Sequence, residues 1–248
     1  MRRNISSLVV LAATGIVAQQ AAAVVTFSFA DNPDPNGQFI YTAPDFLGQD
    51  GFLTYNSQVP IDLGVDATGE GGTAFGYTDA IFSFSAGVGA IFDGPFPNTY
   101  FAPLFGGFME FRSSGGDLLF SGTFGDPPAF LNIIVNTGSI TVSVEVGGLN
   151  YTPGATLLAD LSANIGADVL GFLPPFDAVW TLSNMPTLKT IVPPPPPGGD
   201  RAVNNVYLDD FQANSSFSGT TGLRMIPAPG AAAIAGIGLA MVSTRRRR

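Results

Sequence analysis

Apolar and polar residues alternate along much of this chain, and this alternation limits its fold more than any other feature. Between residues 140 and 146, Ile or Val occupies every second position, and Thr, Ser and Glu lie between them. A period of two gives a β-strand one apolar and one polar face. Many short strands separated by glycine-containing turns predict an all-β fold, an antiparallel β-sandwich of the jelly-roll type. The further candidate strands cover residues 25–29, 108–112, 117–122, 130–135, 178–182 and 206–211.

Aromatic residues have to supply much of the core, because the 248-residue chain contains no Cys and therefore no disulfide. Its 21 Phe residues are predicted to fill the space between the two sheets. Trp180, the only Trp, shares a strand face with Ala178 and Leu182, which favours the core over a sugar-binding role. The chain also contains no His. The absence of Cys excludes thiol chemistry, the absence of His excludes His-based catalytic triads, and the absence of both excludes Cys/His zinc sites.

Three segments depart from the alternating pattern. In residues 155–172, Leu157 and Leu161 recur near helical spacing, which leaves a helix of about three turns and two further strands as open alternatives. Residues 193–197 are consecutive prolines and are interpreted as a long loop before the last strand. Residues 214–222 are rich in Ser, Thr and Gly and are interpreted as a stalk that follows the domain.

The ionisable residues are distributed unevenly along the chain. The formal net charge is −9, all 19 acidic residues lie between Asp31 and Asp210, and six of the ten basic residues lie near the two ends. Four scattered cations are left between those ends, and they cannot follow a track of phosphates. Nucleic acid is therefore not expected as a partner.

The N-terminal segment has the three parts of a signal peptide. Arg2 and Arg3 precede an apolar stretch over residues 5–17, and a run of alanines ending at Ala23 provides a cleavage site. Cleavage after Ala23 would make Val24 the first residue of the exported protein. The predicted organisation is a signal peptide at residues 1–23, a β-sandwich domain at 24–222 and a C-terminal tag at 223–248.

The C-terminal segment also has three parts. The motif Pro227, Ala228, Pro229 interrupts regular structure, and residues 231–242 then form an uncharged, apolar run of twelve residues. As a helix this run would extend about 18 Å, short of the ~30 Å hydrocarbon core of a bilayer. Arginines favour the cytoplasmic side of a membrane, which puts the preceding domain on the outer side. The arginine cluster consists of Arg245, Arg246, Arg247 and Arg248.

This layout resembles the C-terminal sorting tag of PEP-CTERM proteins. The resemblance covers residues 227–248, and Ala228 stands where the family name implies Glu. It implies an exported bacterial protein that is held transiently in the membrane by the C-terminal helix. It also implies processing by signal peptidase and by an exosortase-like enzyme, and a final place at the cell surface or in the extracellular polysaccharide matrix.

One loop contains a possible calcium site. Asn32, Asp34 and Asn36 fit the first half of a calcium-binding loop, with oxygen ligands at positions one, three and five and a glycine next. Position twelve, where such loops place a bidentate Glu, is Ala43. A Pro/Asn/Gly turn after the first strand is the favoured interpretation. No cofactor is therefore expected, and Ca²⁺ is the alternative that stays open.

Other acidic residues give weaker indications of chemistry. Asp62, Asp66 and Glu70 recur every four residues in a glycine-rich stretch that is expected to be a solvated loop. Asp209 and Asp210 are expected in the last strand, one of them at an edge or bulge or accepting hydrogen bonds from a loop. No motif pairs two carboxylates across a cleft, as glycoside hydrolysis requires, so the protein is not expected to be an enzyme.

The expected function is that of a non-catalytic component of the cell surface or matrix. Two alternatives stay open: a calcium-dependent or aromatic carbohydrate-binding module, and a secreted hydrolase. The first alternative requires a ligand groove on one sheet. The second requires two carboxylates that face each other.

Overall fold

Strands dominate the described part of the chain. The computed structural model describes residues 24–30, 37–45, 49–96, 99–125, 129–136, 139–145, 148–183, 188–191 and 205–226. These residues form fifteen β-strands, one α-helix and one short 3-10 turn. All the strand pairs within them are antiparallel, which confirms the all-β prediction.

The elements follow one another in a single order along the chain. The first half contains β1 (Val24–Ala30), β2 (Phe39–Thr42), β3 (Gly51–Tyr55), β4 (Ile61–Asp66), the 3-10 turn (Thr68–Glu70), β5 (Ala74–Val88), β6 (Phe92–Asp93) and β7 (Thr99–Arg112). The second half contains β8 (Leu118–Phe124), β9 (Ala129–Asn136), β10 (Ser139–Glu145), β11 (Asn150–Pro153), α1 (Ala155–Ile165), β12 (Asp168–Ser183), β13 (Leu188–Ile191), β14 (Asn205–Leu208) and β15 (Phe211–Ile226). The predicted strands 25–29, 108–112, 130–135 and 178–182 lie within β1, β7, β9 and β12, and the predicted strands 117–122 and 140–146 overlap β8 and β10.

Thirteen of the strands belong to one sheet. Its order is β1-β4-β5-β3-β2-β15-β12-β10-β9-β7-β8-β11, and β6 pairs with β7. Two further pairings, β1 with β15 and β5 with β7, join strands that are far apart in this order. The sheet therefore folds back on itself, and its inner faces enclose a common core. Strands β13 and β14 form a separate two-stranded sheet.

Aromatic rings fill this core. Phe120 stacks on both Phe27 and Phe111 with ring centroids 4.4 Å apart, and Trp180 lies 5.0 Å from Phe217. All five side chains are almost completely buried. Aromatic pairs at such distances add about 0.5–1.5 kcal/mol each to the gain from burial. The predicted core position of Trp180 is confirmed.

The segment with helical spacing forms a helix, and the alternative of two strands is wrong for its first part. Helix α1 begins after Gly154, buries Leu157 and Leu161, and ends at Gly166, whose φ of 74° is left-handed. The Gly166 N–H donates to the Ser162 carbonyl, which is a common way to end a helix. A side chain on Gly154 would overlap the Leu118 carbonyl oxygen, so the glycine lets the helix start pack directly on β8.

The end of the domain differs from the prediction in two ways. The predicted strand over residues 206–211 is interrupted, because β14 ends at Leu208 and β15 begins at Phe211. The predicted stalk at 214–222 is wrong, since these residues lie in the middle of β15, between β1 and β12. Most residues on the buried face of this stretch are small, and Phe217 is the one large side chain among them. The apolar and polar alternation of a strand is therefore not evident in the sequence there. The proline run at 193–197 lies outside the described residues.

Candidate functional site

Two shallow grooves lie on the outer surface of the sheet. The first, which we call the aromatic groove, has a volume of about 340 Å³ and is lined chiefly by Phe96, Thr99, Tyr100, Phe101, Asn132 and Ile134. The second, which we call the glycine groove, has a volume of about 660 Å³ and is lined chiefly by Ser28, Asp62, Gly64, Gly76, Tyr77 and Thr78. Both volumes fall in the range of small-ligand sites.

Antiparallel pairing brings the side chains of the aromatic groove together. Phe101 on β7 is paired with Phe92 on β6 and with Asn132 on β9. Paired residues point to the same face of a sheet. The next pair along these strands, Ala102 and Leu131, is fully buried in the core. Phe92, Phe101 and Asn132 therefore point outward.

Three of the outward rings form a small aromatic cluster. The centroid of Phe92 lies 5.8 Å from that of Phe101 and 6.1 Å from that of Phe130, and Phe101 and Phe130 are 6.3 Å apart. Phe92 is 47% exposed, while Phe101 and Phe130 are half-buried. The cluster gives β6, β7 and β9 an apolar outer surface beside the groove.

A hydrogen-bonded turn presents Phe96 at the mouth of the aromatic groove. The Gly94 N–H donates to the Thr99 carbonyl at 2.8 Å, and the Thr99 hydroxyl donates to the Phe96 carbonyl at 2.6 Å. A Cβ on Gly94 would overlap the Thr99 side chain, so this turn requires glycine. The Phe96 ring is left 70% exposed. Leaving so much apolar surface in water is unfavourable, and a ligand that covers the ring would recover that free energy.

Asn132 supplies the polar group of the aromatic groove. Its side chain is half-buried, and its amide forms no hydrogen bond with the described part of the chain. The Thr99 hydroxyl, by contrast, is already bonded to the backbone of Phe96. None of the six chief lining side chains is charged. The groove therefore combines aromatic and aliphatic surface with the hydrogen-bonding groups of the Asn132 amide and the Tyr100 phenol.

The glycine groove has a different character. Ser28, Gly64 and Gly76 lie side by side on β1, β4 and β5, so backbone forms much of its floor. A Cβ on Gly76 would lie 2.8 Å from the Leu63 carbonyl oxygen, which explains the glycine there. Asp62 is the one carboxylate that lines this groove. A single carboxylate does not provide the acid and base pair of a glycoside hydrolase.

The acidic triplet does not form the predicted loop. Asp62 and Asp66 both lie on β4, with exposed side chains, and Glu70 ends the 3-10 turn. Asp66 accepts hydrogen bonds from the Thr68 hydroxyl at 2.7 Å and the Thr68 N–H at 2.9 Å, and these bonds lower the pKa of Asp66. Burial raises the pKa of Glu70. Within the described residues, no group of three acidic side chains is placed to hold a metal ion.

The calcium candidates Asn32, Asp34 and Asn36 lie outside the described residues, so calcium binding there stays a prediction. The glycine that follows them is described. Gly37 has a left-handed φ of 65°, and a Cβ there would overlap the backbone of Ala213 on β15. The close approach of Gly37 to β15 is therefore sufficient to require a glycine at that position.

Asp210 has one of the roles predicted for the paired aspartates. Its carboxylate accepts a hydrogen bond of 2.6 Å from the Ala43 N–H, and the Asp209 carboxylate accepts one of 3.0 Å from the Asp210 N–H. Both residues lie in the break between β14 and β15. The prediction that Asp210 accepts a hydrogen bond from a loop is confirmed, and its placement within a strand is wrong.

The predicted processing sites lie outside the described residues. They comprise Ala23 at the signal cleavage site, the motif Pro227, Ala228 and Pro229, and the cluster Arg245, Arg246, Arg247 and Arg248. In the portion of the chain that is described, no helix has the length and apolarity needed to cross a membrane.

Sequence reasoning missed the aromatic groove. All Phe residues were predicted to fill the core, yet Phe96 and Phe52 are 70% and 58% exposed. The signal that was available is the turn-forming Gly94 and Pro95 just before Phe96, which places this Phe in a turn.

No known protein family, curated protein or solved structure matches this chain. The function is therefore argued from its residues and their geometry.

Proposed function

We propose that this protein is an exported, non-catalytic component of the cell surface or extracellular matrix, delivered through a cleavable C-terminal sorting signal. Signal peptidase removes residues 1–23, and an exosortase-like enzyme acts at the tag that begins at Pro227. The membrane is a transient partner, through the C-terminal helix. The extracellular polysaccharide is the expected neighbour of the released domain.

The pairing of the first and last strands supports this proposal most directly. Val24, the first residue after the predicted signal cleavage site, is paired with Gly222 on β15. Because the strands are antiparallel, the start of β1 and the end of β15 lie at the same end of the sheet. β15 ends at Ile226, immediately before Pro227. The predicted signal peptide and the predicted C-terminal tag thus join the domain at the same end of the sheet. This arrangement is suited to a domain that membrane enzymes cleave at both termini.

A jelly-roll sandwich is the proposed architecture of the exported domain. The long strands change partners along their length: β5 pairs with β4 over its first half and with β7 over its second. β15 likewise pairs with β2 at its start and with β1 further on. A strand that changes partners in this way can contribute to both layers of a sandwich.

The non-catalytic role is supported by the chemistry of the two grooves. The aromatic groove is lined by uncharged side chains, and the glycine groove contains one carboxylate, Asp62. Glu110 is held in an ion pair with Arg112, with 2.5 Å between Oε1 and Nε. Among the described residues that line them, neither groove places a carboxylic acid opposite a second carboxylate, which hydrolysis of a glycosidic bond requires.

Replacing the arginine cluster in the native host tests the sorting proposal. Substitution of Arg245, Arg246, Arg247 and Arg248 by Gln is expected to leave an unprocessed precursor in the cell. The control is Arg224→Gln, which alters an exposed arginine of β15 and is expected to be processed normally. If the quadruple variant is processed and distributed like the control, the arginines are not part of a sorting signal.

A further inference from the structure

We propose that the aromatic groove binds a neutral, β-linked glucose oligosaccharide. This inference names a partner for the proposed surface protein, so it depends on the proposed function for its biological setting. Its chemistry depends only on the described residues of β6, β7 and β9 and the turn before β7. Binding is measured on the purified chain, so a failure to bind and a failure of export or processing are separate results.

The charge of the groove selects an uncharged ligand. Its chief lining residues carry no ionisable group except the phenol of Tyr100. The chain as a whole has a formal net charge of −9, which repels polyanions at a distance. A cationic ligand would find no carboxylate among these lining side chains. The groove is therefore complementary to a neutral molecule.

The aromatic side chains select a ligand with flat C–H faces. Ring faces carry a negative electrostatic potential, which attracts the polarised C–H groups of a pyranose. A β-linked glucose unit has all its ring substituents equatorial, so both of its faces present C–H groups. Phe96 from the turn and Phe101 from β7 offer ring surface to such a unit, and Ile134 adds aliphatic surface that is 43% exposed.

The amide of Asn132 favours a sugar over a lipid chain. An acyl chain in the groove would cover this amide and leave its donors and acceptor unpaired, which costs about 1–3 kcal/mol. A sugar has neighbouring hydroxyl groups that can both donate and accept. Asn132 lies directly opposite Phe101 in the β7–β9 pair, so one sugar unit can contact the amide and a ring together.

Cellohexaose titrated into the full chain, followed by NMR, tests this inference. We expect the side-chain amide signals of Asn132 and the backbone amide signals of Thr99 and Ile134 to shift. Asn132→Ala and Phe96→Ala should each weaken binding roughly tenfold, as expected for the loss of about 1.4 kcal/mol. Galactohexaose of the same linkage, in which the C4–O bond of each unit is axial and disrupts one C–H face, should bind more weakly.

Two control variants separate loss of the groove from loss of the fold. Phe52 is a comparably exposed Phe on β3, and Asn150 is an exposed Asn on β11, both outside the groove lining. Phe52→Ala and Asn150→Ala are expected to bind cellohexaose like the unchanged chain. No shift at Asn132 with millimolar cellohexaose, or equal losses in the groove and control variants, would overturn the inference. Binding to phosphatidylcholine vesicles without any response to cellohexaose would also overturn it, in favour of a lipid.

Discussion

At the residue scale, Glu70 and Asp66 lie four positions apart, and their contributions to stability should change with pH in opposite directions. Burial raises the pKa of Glu70, so the folded state binds that proton more tightly than the unfolded state. Glu70 therefore lowers stability when ionised, and this penalty disappears as the pH falls. We expect Glu70→Gln to raise Tm at pH 7 by roughly 1–2 °C and to have no effect near pH 3, measured by calorimetry.

Asp66 provides the matched comparison. Its hydrogen bonds from Thr68 lower its pKa, so its ionised form stabilises the fold above about pH 4, and that contribution is lost as the pH falls through the lowered pKa. Asp66→Ala should therefore lower Tm at pH 7 and lose this effect in acid. If both variants shift Tm in the same direction at pH 7, the assigned environments of these two carboxylates are wrong.

The residue scale also shows why the outward orientation of Phe101 could not be predicted. The identity of a Phe does not reveal which face of a strand it occupies, since a one-residue change of register exchanges the two faces. Phe101 and Phe111 are both on β7, yet one points outward and the other into the core. The two consecutive glycines between them, of which Gly106 is left-handed, lie beside a register irregularity in the β5–β7 pair.

At the element scale, several strands with large apolar inward residues were predicted, whereas β2 to β5 and the middle of β15 were not. The segment 130–135 lies within β9, because Leu131 and Ile133 alternate with residues that point outward. The middle of β15 instead directs Ala213, Ser215 and Gly219 inward, so its buried face does not look apolar in the sequence. Its strand state is set by the neighbours on both sides, which composition does not show.

A proline substitution distinguishes a central strand from a stalk. Ser218 is exposed, yet it is paired with Ser28 on β1 and with Val179 on β12. Proline there would remove a backbone donor from the middle of the sheet, and we expect Ser218→Pro to cost about 3 kcal/mol or more of unfolding free energy. Ser218→Thr, which suits a strand, should unfold like the unchanged chain. Normal stability of the proline variant in a urea titration would restore the stalk interpretation.

Side-chain hydrogen bonds join helix α1 to the start of β5 and to Thr73, the residue before that strand. Asn164 accepts from the Thr73 N–H at 2.7 Å and donates to the Thr73 hydroxyl at 3.0 Å, and the Tyr77 hydroxyl donates to Asp160 at 2.5 Å. We expect Asn164→Ala to lower the free energy of unfolding by about 1 kcal/mol and to speed amide hydrogen exchange in α1.

The control for the helix is an asparagine elsewhere on the surface. Asn150→Ala removes only a 3.5 Å contact with the Gly148 carbonyl and should leave exchange in α1 unchanged. Equal exchange rates in the two variants would mean that the bonds to Thr73 do not hold the helix.

At the scale of the whole molecule, the two ends of the β domain lie at the same end of the sheet. The domain begins at Val24 and reaches Ile226, and the pairing of Val24 with Gly222 brings these two points to one end. The aromatic groove is lined by residues of β7, of β9 and of the segment before β7, all of which belong to the domain. The proposed glycan binding and the proposed delivery can therefore be tested separately on one chain.

The intact mass of the protein recovered from its native host shows directly whether both predicted processing steps occur. The account predicts a species that starts at Val24 and lacks the residues after about Pro227, found in the cell envelope or the medium. Additional mass on that species would indicate a modified matrix protein. Recovery of the complete 25.7 kDa chain from the membrane fraction would contradict both processing steps and the sorting function built on them.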